Sequence, residues 1–379
     1  MRILILGGDG YLGWPTAMYL AIRGHDIHLV DNLAKRGWEA SVGVEPLFTI
    51  LPLHERVRKW NETKQTKMGF TICDIAENRA LLYKVVDTFQ PDTIVHYAEQ
   101  PSAPYSMMDA EHCVYTQSNN VTGTLNTLMS VLHTNPSIHI VKLGTMGEYG
   151  TPDIDIEEGW LDVQHNGRTD RMLYPKKPGS WYHLSKVHDS HNLEFACRTW
   201  GLKVTDLNQG VVYGTDTDET WLVTELATSF HYDQYFGTVI NRFLTQAAAE
   251  IPLTVYGTGN QTRGYLNIND TLRCVELAIE NPAKGGEFRV MNQFTEQFSI
   301  LDLARMVSDL TGIKWSCIPN PRVEMEEHYY NAKHSALKDL GLTPKLLDSE
   351  SLENMYKMVY GARRRINKDV IMPTVRWKQ

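Results

Sequence analysis

Ile3-Leu4-Ile5-Leu6-Gly7-Gly8-Asp9-Gly10-Tyr11-Leu12-Gly13 decides how the rest of the chain is read. Four consecutive branched apolar residues predict a short strand buried on both faces. Gly7, Gly10 and Gly13 follow at GxxGxxG spacing, and residues 12–23 predict a helix. A strand, a glycine turn and a helix N-terminus together present backbone N–H groups and a positive dipole end to a pyrophosphate. The spacing alone is only suggestive. Asp31 makes it specific, because it stands 18 residues after Gly13 at the end of the next predicted strand. A carboxylate there accepts hydrogen bonds from an adenosine ribose and repels a 2′-phosphate, so NAD is expected over NADP. Arg36 nearby weakens that preference a little. Asp74-Ile75, after the third predicted strand, either meets the adenine or caps the next helix.

Outward from that turn, strands and helices alternate. Short apolar or β-branched runs predict strands at 2–6, 26–30, 69–73, 93–96, 139–143 and 203–207. Helical stretches fall at 12–23, 79–89, 121–132 and 182–200. This predicts an α/β fold, a doubly wound parallel sheet covered on both faces. Residues 35–67 interrupt it with an insertion holding a charged helical piece near 54–61. Residues 150–180, rich in Gly, Pro, Asp and Lys, predict a loop or lid. Residues 215–236 are acidic and aromatic, and a helix is expected at 300–310. The expected division is a dinucleotide-binding domain at 1–208 and a smaller mixed α/β substrate domain at 209–379, with interleaving left open.

Bulk properties exclude several function classes. The 379 residues suffice for a full core, and 42% hydrophobic with 22% charged content is that of a water-soluble globular chain. A net charge of −8 without a basic block argues against nucleic acid or an anionic membrane as partner. Five scattered cysteines and no CxxC argue for a reducing compartment and against a metal site. No apolar run approaches the length of a membrane span. Met1-Arg2 leads straight into the first strand, so the fold is expected to begin at residue 1 and the protein to work in the cytoplasm.

Tyr182 and Lys186 lie four residues apart on a predicted helix, one turn apart on one face. A lysine beside a phenol favours the phenolate and makes the tyrosine a general base near neutral pH. Alone, such a pair arises by chance on many solvated helix faces. Thr145 ends the strand 139–143 and its Gly144, where active-site groups of such sheets stand, and could bond a substrate hydroxyl beside Tyr182.

The glycine turn, Asp31, Asp74-Ile75, Asn120-Val121-Thr122-Gly123-Thr124, Thr145 and Tyr182/Lys186 fall in one order. In that order the chain resembles, over nearly its whole length, the extended short-chain dehydrogenase/reductase family of nucleotide-sugar enzymes. The resemblance implies that Tyr182 is the acid/base, that Lys186 tunes it and holds the nicotinamide ribose, and that Thr145 binds the reacting sugar hydroxyl. It implies NAD contacts at Gly7, Asp9, Gly10, Tyr11, Leu12, Gly13, Asp31, Asn32, Arg36, Asp74, Ile75 and Asn119, besides Tyr182 and Lys186. It also implies a homodimer.

Longer strings, among them Ser102-Ala103-Pro104-Tyr105-Ser106-Met107, Lys142-Leu143-Gly144-Thr145-Met146-Gly147-Glu148-Tyr149-Gly150 and Gln261-Thr262-Arg263-Gly264-Tyr265, are similar to the members that build a sulfonated sugar from UDP-glucose and sulfite. The implied chemistry oxidises C4, loses water across C5 and C6, adds sulfite at C6 and restores C4, so a bound NAD is regenerated. Related dehydratases carry Thr-Asp-Glu at the catalytic strand end. Here Met146 and Gly147 replace the acid and the base, so His183 and Glu148 are expected to help the dehydration. Plant relatives have Arg where this chain has Pro101, so another sulfite contact is expected from Gln100, Gln209 or His183. For the UDP half, Arg242, Arg263 and Arg322 are candidates for the pyrophosphate and Glu324 for the uridine ribose. Gln100, Ser102, Tyr105, Gln209, Thr262 and Tyr265 complete the expected substrate set. Sulfite arrives free or from a donor protein. Two rival readings remain at this point: a UDP-sugar 4-epimerase or dehydratase without sulfite chemistry, and a noncatalytic NAD-binding sensor.

Overall fold

The computed structural model describes residues 1–64, 66–220, 224–325 and 327–377. Its strands are β1 (Arg2–Leu6), β2 (Asp26–Asp31), β3 (Met68–Ile72), β4 (Thr93–His96), β5 (His139–Thr145), β6 (Trp160–His165), β7 (Arg168–Leu173), β8 (Lys203–Gln209), β9 (Val211–Tyr213), β10 (Leu253–Tyr256), β11 (Thr262–Asn267), β12 (Phe288–Gln293), β13 (Glu296–Ser299) and β14 (Trp315–Ile318). Seven of them form one parallel sheet in the order β12-β8-β5-β4-β1-β2-β3. The chain runs outward from β1 to β3, then returns to lay β4 on the other side of β1. That reversal opens a crevice at the carboxyl ends of β1 and β4, the place where such sheets take ligands.

Alternation along each strand supplies both cores. Ile3 and Ile5 face one side with Leu29, Val95 and Val141, under the helices Gly13–Ile22 and Ile268–Glu280. Leu4 and Leu6 face the other with Val30, Ile94 and Ile140, under Arg79–Phe89, Ala110–Thr134 and Trp181–Trp200. A third core joins Val239–Ala248, Ile300–Thr311 and Ser349–Gly361 to β10 and β11.

The six expected strands are present, and the first helices lie within a residue or two of expectation. Three features differ. The seventh strand, β12, comes from the C-terminal third and pairs with β8, and Ile268–Glu280 packs onto the first helix, so a cut after residue 208 passes through the sheet's own core. Residues 150–180 are not only loop: β6 and β7 make an antiparallel hairpin there. The helix expected at 121–132 starts at Ala110, capped by Asp109. Of the acidic, aromatic stretch 215–236, residues 221–223 lie outside the described residues.

Candidate active site

The glycine turn closes as its spacing requires. Gly7 has φ 89°, and a Cβ there would stand 2.8 Å from Ala98 N. A Cβ on Gly13 would overlap the Gly7 carbonyl. Beside this turn is a cavity of about 390 Å³ whose wall includes Gly7, Asp9, Gly10, Tyr11, Leu12, Gly13, Asp31, Asn32, Asp74, Ile75 and Asn119. Asp31 accepts hydrogen bonds from Asp9 N at 2.8 Å and Leu33 N at 2.6 Å, and burial pushes its carboxyl up to about 6. Arg36 stands off the wall. Its guanidinium holds Asp9 (Nε to Oδ2, 2.7 Å) and Leu51 O (2.8 Å) and is not free for a 2′-phosphate. Asp74 lines the cavity and its Oδ1 accepts from Ala76 N at 2.9 Å in the turn before the next helix, but that helix, Arg79–Phe89, is capped by Asn78 and not by Asp74. A glycine cradle without Cβ obstruction, a helix N-terminus and an acidic residue at the ribose position fit a dinucleotide without a 2′-phosphate.

The other end of the same cavity holds Thr145, Tyr182, Gln209 and Ser102. Ser180 caps the helix Trp181–Trp200, its Oγ accepting from His183 N at 3.2 Å. This sets Tyr182, His183 and Lys186 at the start of that helix against the end of β5. Thr145 Oγ1 accepts from Gly147 N at 3.1 Å, which leaves its own hydrogen to donate. Burial, then the Glu99 carboxylate, push the Tyr182 phenol above its usual range, and Lys142 pulls the other way. Lys186 Nζ donates to Leu143 O at 2.6 Å and pairs with Glu99. Thus Lys186 does not face Tyr182 as a lone cation. Behind it, Lys142 of β5 pairs with Glu99 and lies 3.2 Å from Asp189.

His183 is seated where a side chain on Gly147 would be, for a Cβ there would collide with the imidazole Cδ2 and Nε2. Its Nδ1 contacts Ser180 Oγ at 3.0 Å. Burial, then Arg322 and Arg263, lower its pKa to about 3, so the ring is neutral at physiological pH. Glu148 does not share that position. It is fully buried and turned to Lys176 and to Ser190 Oγ (2.8 Å), and neither it nor His183 is on the wall of the cavity that Thr145 and Tyr182 line. Met146 is buried among Tyr149, Ile156, Tyr174 and Phe294 and serves as apolar packing.

The substrate candidates divide. Arg242, Arg263 and Arg322 surround Tyr265, whose pKa they lower against the effect of its burial. Arg263 pairs with Glu324 and shares His328 with Thr262 O. Arg242 lies over the Tyr256 ring, 4.3 Å from its centroid. Tyr265 Oη and Arg242 Nε are buried without a hydrogen-bond partner among the described residues. Three guanidiniums against one carboxylate, with two unpaired polar groups, suit a diphosphate. None of Arg242, Thr262, Arg263, Tyr265, Arg322 and Glu324 is on the wall of the cavity beside the glycine turn, and neither are Gln100 and Tyr105. The Gln100 amide is used up on Ser102 and Thr116 Oγ1 (2.9 Å), and Tyr105 packs with Trp38, His112 and Phe236. Ser102 lines the cavity while donating to Tyr235 O at 2.5 Å. Pro101 also lines it and offers no donor.

Sequence reasoning gave no role to Glu99, Lys142 and Asp189. A signal existed: Lys142 is a cation between the apolar Ile140, Val141 and Leu143 of one strand, and Asp189 falls three residues after Lys186 on one helix face. Among the described residues, no cluster of His, Cys, Asp and Glu could hold a metal ion and no helix is long and apolar enough to cross a membrane.

The seven-stranded parallel sheet agrees with a comparison across known families. The chain belongs to the NAD dependent epimerase/dehydratase family, which matches residues 3–292. Within it, the chain is 51% identical to the chloroplastic UDP-sulfoquinovose synthase of Spinacia oleracea, over 100% of this chain and 79% of that protein. It is 43% identical to the UDP-sulfoquinovose synthase of Sulfolobus acidocaldarius, over 100% of this chain and 98% of that one. Among solved structures, UDP-glucose 4-epimerase of Thermotoga maritima shares the fold with a TM-score of 0.70 at 20% identity, over 96% of this chain and 99% of that one. UDP-glucuronic acid 4-epimerase of Bacillus cereus, solved with UDP-glucuronic acid and NAD, gives 0.69 at 20% identity, over 95% and 99%.

Proposed function

We propose that this protein converts UDP-glucose and sulfite to UDP-sulfoquinovose with a retained NAD. The observation that carries the reading is a Thr145–Tyr182 pair at the cavity end with neutral His183 seated against Gly147, in a chain similar along its full length to UDP-sulfoquinovose synthases. The glycine turn and Asp31 would hold NAD, which supplies reversible hydride transfer at C4 of the sugar. Arg242, Arg263 and Arg322 bind the diphosphate and orient the hexose. Thr145 donates a hydrogen bond to the C4 oxygen. Tyr182 takes the proton from that oxygen as the ketone forms and returns it at the end. The ketone acidifies C5–H. His183 Nε2, neutral and close to Tyr182, moves the proton between C5 and the departing C6 hydroxyl. Gln209, on the wall, is a donor for sulfite in place of an arginine at position 101. Homodimer formation, a cytoplasmic setting and delivery of sulfite either free or by a donor protein belong to this reading.

The test mixes purified protein, UDP-glucose and sulfite without added NAD and measures the product by mass and by chromatography that separates the C4 epimers. A sulfonated UDP-hexose is expected. UDP-galactose or a 4-keto-6-deoxy sugar formed without need of sulfite would overturn the reading in favour of an epimerase or dehydratase. Tyr182→Phe should lower the rate by about 10²-fold or more. His183→Ala should slow exchange of the C5 hydrogen, and an unchanged exchange rate would remove His183 from the mechanism.

A further inference from the structure

We propose that Glu99 and Lys142 are positioning residues for the Tyr182–Lys186 pair: Glu99 clamps the Lys186 ammonium, and Lys142 restores the positive charge that Glu99 would otherwise cancel. The inference rests on reading Tyr182 as the acid/base group. Three elements converge here, namely the loop after β4 with Glu99, β5 with Lys142 and the helix Trp181–Trp200 with Lys186. Their side chains are only 2%, 1% and 4% exposed. The two oxygens of Glu99 are divided, Oε1 to Lys142 and Oε2 to Lys186. Leu143 O, at 2.6 Å, fixes the Lys186 ammonium from a second direction. Lys186 is therefore held in place by protein groups alone.

The charge balance then decides what Tyr182 senses. Burial opposes ionisation of Glu99, but the Lys142 and Lys186 ammoniums outweigh it and hold its pKa at about 2. Burial raises the Asp189 carboxyl well above the carboxylate range, against the Lys142 ammonium 3.2 Å away, which favours the anion. Within the Glu99–Lys142–Lys186 group itself, two ammoniums and one carboxylate leave one positive charge in excess, while Asp206, ionised above about 6, acts on Lys142 from outside it. Without Lys142, Glu99 would neutralise Lys186, and a phenol already disfavoured by burial would lose the field it needs. The other charged or titratable neighbours are Glu148 with its partner Lys176, Asp206 on β8 and His96 on β4. Burial keeps His96 neutral, and burial with Glu148 raises Asp206 to about 6. Burying this many charges is unfavourable unless each is paired, and Lys142 has no contact with the cavity that would explain it otherwise.

The test combines the pH–rate profile of the NAD-loaded protein with a tyrosinate absorbance titration, each variant referenced to Tyr182→Phe in its own background. Lys142→Met should move the acid limb and the Tyr182 titration up by about one pH unit or more, and Glu99→Gln should move both down by a similar amount. The double variant E99Q/K142M carries one net charge again and should return close to the unsubstituted protein. Lys142→Arg should leave the limb in place. Where one single variant fails to fold, the other single variant against Lys142→Arg decides. Where both fail, E99Q/K142R, with two cations, must titrate below E99Q/K142M. Unmoved limbs, or shifts of the same sign in both single variants, overturn the proposal. An active Tyr182→Phe would instead overturn the underlying reading of Tyr182.

Discussion

Asp31 ties the chemistry of one carboxyl to cofactor retention. Its pKa rises from 3.8 to about 6 because burial outweighs the two backbone N–H groups that favour the anion. The folded protein therefore holds a proton on Asp31, between these values, that the unfolded chain has released. The group's contribution to stability is fullest below 3.8 and declines as pH rises to about 6. Binding runs the other way, since ribose hydroxyls need the ionised carboxylate. NAD retained through desalting should fall as pH drops through about 6, measured by absorbance of the released cofactor. In Asp31→Asn the retained amount should be low and flat across the same window, and a flat profile in the unsubstituted protein would contradict the assignment. Asp31, Gly7 and Gly13 were legible in the sequence because their roles follow from backbone geometry at fixed spacing. Glu148 was not. Spacing places it next to the catalytic strand end, but only packing shows that Lys176, 28 residues away, turns it inward. His183 was legible as a neighbour of Tyr182, while the room it occupies depends on Gly147 lacking a side chain.

Elements were legible where both faces are buried. β1, β4 and β5 read as apolar runs because helices cover them on both sides. β12, Phe-Arg-Val-Met-Asn-Gln, carries as many polar as apolar residues, and its place beside β8 is a pairing made across some eighty residues of chain. The hairpin β6–β7 was hidden by charged residues on both of its faces. Its turn residues, Asn166 and Gly167, take φ 48° and 75° as a two-residue hairpin turn requires. The segment after β7 inserts Lys176 to pair with Glu148, at 4% and 1% side-chain exposure. Lys176→Met leaves a buried carboxylate without its cation and should destabilise the fold by about 3 kcal/mol. This is measurable as a lower midpoint of urea unfolding. A midpoint shift equal to that of an exposed lysine such as Lys357, whose pair is mostly in solvent, would show that the ion pair adds nothing.

On the scale of the molecule, the two functional halves are not two consecutive pieces of chain. The dinucleotide cradle needs β1, β2 and the helix Gly13–Ile22, yet that helix is buried under Ile268–Glu280, with Cys274, Val275, Leu277, Ala278 and Ile279 in the same core as Trp14, Ala17 and Met18. Leu226 belongs to that core too, and its carbonyl accepts from Trp14 Nε1 at 3.0 Å. Sequence periodicity identifies each helix but not its companion, so the boundary expected after residue 208 follows a change in local character rather than a division of the core. A fragment of residues 1–208 would expose the apolar face of its first helix and one edge of β8. It should show no cooperative urea transition and should bind a hydrophobic dye strongly. The full chain should unfold in one transition, with UDP-glucose raising the midpoint as seen by probes in either half, because Arg263 on β11 and Tyr182 on the first sheet's helix are assigned to one substrate. A fragment that unfolds cooperatively and retains NAD would show that the helix Ile268–Glu280 and β12 only cover a domain already stable by itself.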